Sequence, residues 1–227
     1  MFIGHIGVAL AAKAAQPRRA LAGLVIASQL PDVVYSMLVP AGIEQIRVHD
    51  GVGPDAVEMV WVPFSHSLVA TAVMAFAAYS VMALTVRGRE RHAAGGLVAA
   101  VVLSHWVLDA VVHEPDLPLL GRGSEVGLGL TGGAGFAVEV VLVLAGLALY
   151  LRSTVPVDRL GRAGMPVLAA AMIGFGGFVA LSEPPENSLL LAAGNLGAYA
   201  VLAATGQWLA GHRRAHPAVD RRPTLCR

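Results

Sequence analysis

The chain has 227 residues, of which 56% are hydrophobic and 14% charged, with a mean hydropathy of +0.67. A soluble domain carries about 25% charged residues, so this composition excludes a soluble enzyme and fits an integral membrane protein. The formal net charge of +1 says little as a sum, and no basic stripe of the kind that binds nucleic acid appears, so no nucleic-acid partner is expected.

The first segment, 1–16, reads as a helix too short for a standard span of about 20 residues, and Pro17 ends it. Its basic residues, Lys13, Arg18 and Arg19, follow the apolar run instead of preceding it, the reverse of a cleaved signal peptide. A second span covers 20–39 and is interrupted by Pro31, directly before Asp32; the backbone carbonyl freed by the proline must find another partner in the membrane. Residues 40–64 carry Glu44, Asp50, Asp55 and Glu58 among Gly51, Gly53 and Pro54 and read as an acidic loop, with Trp61 suited to the interface. Spans three and four, 66–86 and 93–113, flank the short basic turn Arg87 to His92. Ser65 reads as the N-cap of the third. The stretch 114–133, rich in glycine and proline, is long for a connector and is a candidate lid or entrance. Spans five to seven follow at 136–151, 165–181 and 189–210, and a basic tail at 211–227 ends in the only cysteine, Cys226, so no intramolecular disulfide can form. The expected fold is all-α: a polytopic bundle of about seven transmembrane helices in one domain, 1–210.

Lys and Arg concentrate in every second connection: Lys13, Arg18 and Arg19; Arg87, Arg89 and Arg91; Arg152, Arg159 and Arg162; and the tail. By the positive-inside rule these face the cytoplasm, which puts the N-terminus outside and the C-terminus inside.

In the fourth span His105, Asp109 and His113 recur every four residues and share one stripe of the helix. Ionisable groups in a span cost roughly 2.5 to 3.5 kcal/mol each on insertion scales, so they call for partners or function. Counting about 1.5 Å per residue from the outer ends, Asp109 lies roughly 6 Å deep, His105 and Asp32 roughly 12 Å, and His5 and Glu139 roughly 6 Å, with His66 and His113 at the ends. All gather in the outer half. A mixture of His and carboxylate without thiolate suits a divalent metal, Zn²⁺, Mn²⁺ or non-haem iron, with zinc the first expectation. The expected ligands are His66, His105 and Asp109, with His5, Asp32, His113 or Glu139 as further ligands, supporting partners or a general base. Two other classes fit the same residues: a transporter or proton-coupled permease, and a structural protein with interhelical histidines.

Gly4-His5, Gln29-Leu30-Pro31-Asp32, Ser65-His66-Ser67-Leu68 and Ser104-His105-Trp106-Val107-Leu108-Asp109 resemble motifs of the bacterial membrane-bound metal-dependent hydrolases of the LexA-binding, inner-membrane-associated type. The likeness covers about the first half of the chain, and His113 to Leu119 resembles a branch of integral membrane proteins with the same motifs. It implies His5, Asp32, His66, His105 and Asp109 as the metal-ligand positions and hydrolysis as the activity. The partners expected are the lipid bilayer and a small-molecule or lipid-linked substrate.

Overall fold

A computed structural model describes residues 1–217. Eight α-helices dominate the described residues: α1 (Ile3–Ala15), α2 (Leu21–Ser28), α3 (Leu30–Leu38), α4 (Leu68–Thr85), α5 (Arg91–Val112), α6 (Gly132–Ser153), α7 (Arg159–Ala180) and α8 (Ser188–Gly211). The five helices α4 to α8 are long and apolar enough to cross a membrane, and α2 and α3, bent by 56° at Gln29, reach that length and apolarity only when taken together. With the 13-residue α1 these are the apolar segments read from the sequence. The protein is an all-α, multi-pass helical bundle.

The bend has a local cause. Pro31 occupies the first turn of α3, where its missing N–H does no harm, but the same residue cannot continue α2. Asp32 therefore begins a new helix direction inside the bundle.

Helix α1 is the most enclosed element: Ile3, His5, Ile6, Ala9 and Leu10 are all buried. It runs alongside α6 at backbone contact, because Gly7 and Gly146 face each other and a Cβ on either would strike a main-chain carbonyl. Small residues at such a crossing let two membrane helices approach closely. Around this pair the core collects Leu21 and Leu24 of α2, Val101 and Val102 of α5, and Met165 and Met172 of α7.

Three two-stranded antiparallel sheets sit at the helix ends. The acidic 40–64 segment is not a plain loop: β1 (Gln45–Val48) pairs with β2 (Val57–Trp61). Its alternating Ile46 and Val48, then Val57 and Met59, carried the period-two signal that its charges obscured. Likewise β3 (Leu117–Pro118) pairs with β4 (Glu125–Val126), and β5 (Thr154–Pro156) with β6 (Arg213–Ala215). The start of the basic tail is thus tied down, while Arg221, Arg222 and Cys226 lie outside the described residues. Ser67, not Ser65, caps α4 by accepting from the Ala70 N–H at 3.0 Å, because the helix begins two residues later than expected. Helix α7 begins at Arg159 and contains Pro166, starting earlier than the apolar run alone indicates.

The connections segregate by end. At one end Arg19 pairs with Glu90 at 3.1 Å and Val157 donates to the His212 carbonyl at 2.9 Å. At the other, Gly53 donates to the Ser182 carbonyl at 2.8 Å and Gly132 to Asp55 at 2.7 Å. The basic connections share the first end, and the acidic and glycine-rich ones the second.

Candidate metal centre

Five side chains from four parts of the fold meet just inside the second end. The first turn of α1 supplies His5, the kink of α2 and α3 supplies Asp32, the turn before α4 supplies His66, and the C-terminal half of α5 supplies His105 and Asp109. Four are buried, and Asp32 is half-buried with 14% of its side chain exposed. Asp109 is central. Its Oδ1 lies 3.1 Å from His5 Nε2 and 3.1 Å from the Met1 amine, and its Oδ2 lies 3.0 Å from His105 Nε2 and 3.9 Å from His66 Nε2. Asp32 Oδ1 faces the same two histidines, at 3.2 Å from His66 Nε2 and 3.6 Å from His105 Nε2. The rings of His5 and His105 stack at 3.8 Å, and His66 meets His105 edge-on.

The far side of two of the three imidazoles is held by protein, while His5 Nδ1 is without a partner. His105 Nδ1 lies 2.8 Å from the Ser28 carbonyl at the α2 kink; a carbonyl only accepts, so Nδ1 is the donor. His66 Nδ1 lies 2.8 Å from Ser65 Oγ, and Ser65 Oγ lies 2.6 Å from Glu44 Oε2. Tyr199 of α8 donates to Asp32 Oδ2 at 3.0 Å. Partners on the outer nitrogens of histidines are the usual way a protein aims imidazoles at a metal.

Inside the cluster, His105 Nε2 and Asp109 Oδ2 are buried with no hydrogen-bond partner, although only 3.0 Å apart. An unsatisfied buried polar atom is costly, typically by about 1–3 kcal/mol, so two of them face to face mark a place for something else. Ligand atoms of two groups, His5, His105 and Asp109, and Asp32, His66 and His105, each lie within 4.8 Å of one another. These buried groups could hold a metal ion. No family model, curated protein or solved structure matches this chain.

Two of the residues singled out in the sequence stand apart. His113, the C-cap of α5, pairs with Asp116 at 3.3 Å. Glu139 accepts from the backbone N–H groups of Phe2 at 2.9 Å and Gly4 at 3.0 Å, so it caps the start of α1. The 114–133 stretch is anchored: Leu128, Gly129 and Leu130 donate to the carbonyls of Ala110, His113 and Val111, satisfying groups that a helix end leaves open. Sequence reading missed Glu44, Ser28 and Tyr199. Glu44 reads as one acid among several in a loop, and neither of the others carries a periodic or charge signal.

Proposed function

We propose that the protein is a membrane-embedded, metal-dependent hydrolase acting on a lipid-linked or membrane-near substrate. The observation that carries this reading is the unpartnered pair His105 Nε2 and Asp109 Oδ2, buried and flanked by His66 and Asp32. His66 and His105 through Nε2 and Asp109 through Oδ2 would hold the ion, with His5 steadying the other oxygen of Asp109. Three nitrogen and oxygen donors and no thiolate suit zinc in a catalytic site, where a fourth position stays open. When bound, such an ion supplies Lewis acidity and brings the pKa of water towards about 7. Asp32, the most accessible member, is placed to take a proton, and Tyr199 fixes its orientation from the other oxygen. The resemblance of the His and Asp motifs to membrane-bound hydrolases supports the same assignment. The segregation of basic connections supports a bacterial inner-membrane orientation with the C-terminus in the cytoplasm and the site near the outer face.

Elemental analysis of the purified protein tests this directly. Zinc or another divalent transition metal at about one per chain is expected, lost in His66→Ala and in His105→Ala. A metal-free protein that supports Asp109-dependent uptake in proteoliposomes would replace the hydrolase with a transporter.

A further inference from the structure

Glu44 lies in the segment between α3 and β1, far in sequence from the α5 motif, yet it is 1% exposed. Its carboxylate is fully engaged. Oε1 accepts from the backbone N–H groups of Phe64 and Ser65, each at 2.8 Å, and Oε2 accepts from the Ser65 hydroxyl at 2.6 Å. A carboxylate has no hydrogen to give and a hydroxyl has one, so the hydrogen of Ser65 is committed to Glu44. Ser65 Oγ can then only accept from His66, 2.8 Å away. A proton of His66 is thereby held on Nδ1, and Nε2, 3.2 Å from Asp32 Oδ1, is the nitrogen that faces the cluster.

We propose that Glu44 is a positioning residue which, through Ser65, holds a proton on Nδ1 of His66 and so aims Nε2 inward for metal ligation. The role rests on the metal reading above, but the hydrogen-bond chain itself does not. Ser65 and His66 are adjacent in the chain, so the motif Ser65-His66 contains its own orienting hydroxyl and lacks only the acid that gives the hydroxyl a direction. The hairpin connection brings that acid in.

The isosteric variant Glu44→Gln makes the prediction sharp. Two backbone N–H groups cannot reverse, so the amide oxygen must take the place of Oε1 and the amide nitrogen the place of Oε2. That nitrogen donates to Ser65 Oγ, the Ser65 hydrogen turns to His66 Nδ1, and Nδ1 can no longer carry a proton. Nitrogen NMR of histidine-labelled, metal-free protein in nanodiscs at pH 8 reads this directly, with the His66 signals identified by their loss in His66→Gln. The expected result is a proton on Nδ1 in the wild type and in Ser65→Thr, and none on Nδ1 in Glu44→Gln. Zinc affinity measured against a chelator should fall by about 10- to 100-fold in Glu44→Gln and in Ser65→Ala and be retained in Ser65→Thr. If Glu44→Gln does not fold, Ser65→Ala against Ser65→Thr makes the same comparison. A wild-type His66 without a proton on Nδ1, or an Nδ1 proton unchanged by Glu44→Gln, overturns the proposal. The expected Nδ1 protons with no zinc binding in the wild type would overturn the metal reading and leave Glu44 as the residue that orients His66.

Discussion

Asp109 and His105 stand one helical turn apart on α5 and bring Oδ2 and Nε2 to 3.0 Å without a hydrogen bond between them. Asp109 is also the one carboxylate within reach of all three clustered histidines. Removing one member of a buried ionic group leaves the others uncompensated, which typically costs about 3–5 kcal/mol. Asp109→Ala is therefore expected to lose metal and to unfold more readily by an amount of that order. Thermal unfolding in detergent, with and without chelator, measures it; a variant as stable as the wild type contradicts the central place of Asp109.

His66 and His105 come from different elements, yet both aim Nε2 at Asp32. Shared ligands of one ion predict strong non-additivity: His66→Ala or His105→Ala alone removes most metal-linked stability, and the double variant loses little more. Interhelical hydrogen bonds without metal average about 0.6 kcal/mol and roughly add. A double-mutant cycle repeated after chelation separates the two, since the coupling should vanish with the metal.

Gly7 and Gly146 allow α1 and α6 to touch through their backbones. Gly146→Ala places a methyl group against the Gly7 carbonyl, and neither helix can yield locally. The expected loss is about 1–3 kcal/mol, read as a lower melting temperature, with a fall in metal content because α1 carries His5. An Ala variant of wild-type stability would mean that the helices are not in backbone contact.

Topology can be read by labelling in a Cys226→Ala background. Cysteines replacing Gly51 and Ser182 should react from the periplasmic side, and one replacing Gly88 from the cytoplasmic side. The Gly53 to Ser182 hydrogen bond ties the first two positions to one end of the bundle, so opposite labelling of Gly51 and Ser182 would contradict the fold as well as the orientation.

At the opposite end, Asp158 caps α7 by accepting from Gly161 N–H at 2.7 Å and contacts His212 at 2.7 Å. The backbone hydrogen bond, then His212, holds its carboxyl below the ordinary 3.8. A depressed carboxyl stabilises the fold above its unfolded pKa, and that contribution disappears as pH falls through the lower folded value. Unfolding followed from pH 6 to pH 2 should show this dependence in the wild type and a weaker one in Asp158→Asn, which keeps an acceptor for the cap but does not ionise.

Much of the fold was legible because long apolar runs leave few alternatives, and the i, i+4 spacing of His105 and Asp109 on such a run pointed to a buried cluster. The depth count brought His5, Asp32 and His66 to the same level. It also brought Glu139 there, and depth alone could not tell a helix cap from a cluster member: Glu139 faces the N-terminus of α1 and not α5. His113 continues the stripe by spacing, but the helix ends beneath it and turns its ring to Asp116. Glu44 and Tyr199 were illegible for another reason. Each is one polar residue among similar ones, and its role exists only after α3, α4 and α8 have been brought together.

Helix α1 has a consequence for the order of assembly. It precedes the other described helices in the chain, yet it lies against α6, its start is capped by Glu139, and its His5 meets Asp109. None of those partners exists when α1 leaves the ribosome. The helix must wait, poorly packed and carrying a polar side chain, until some 140 residues later α6 is inserted and closes over it. The cluster is thus completed late, by an element that does not itself belong to it, and a chain arrested before α6 would carry all five clustered residues but lack the Glu139 cap and the Gly146 contact that fix α1.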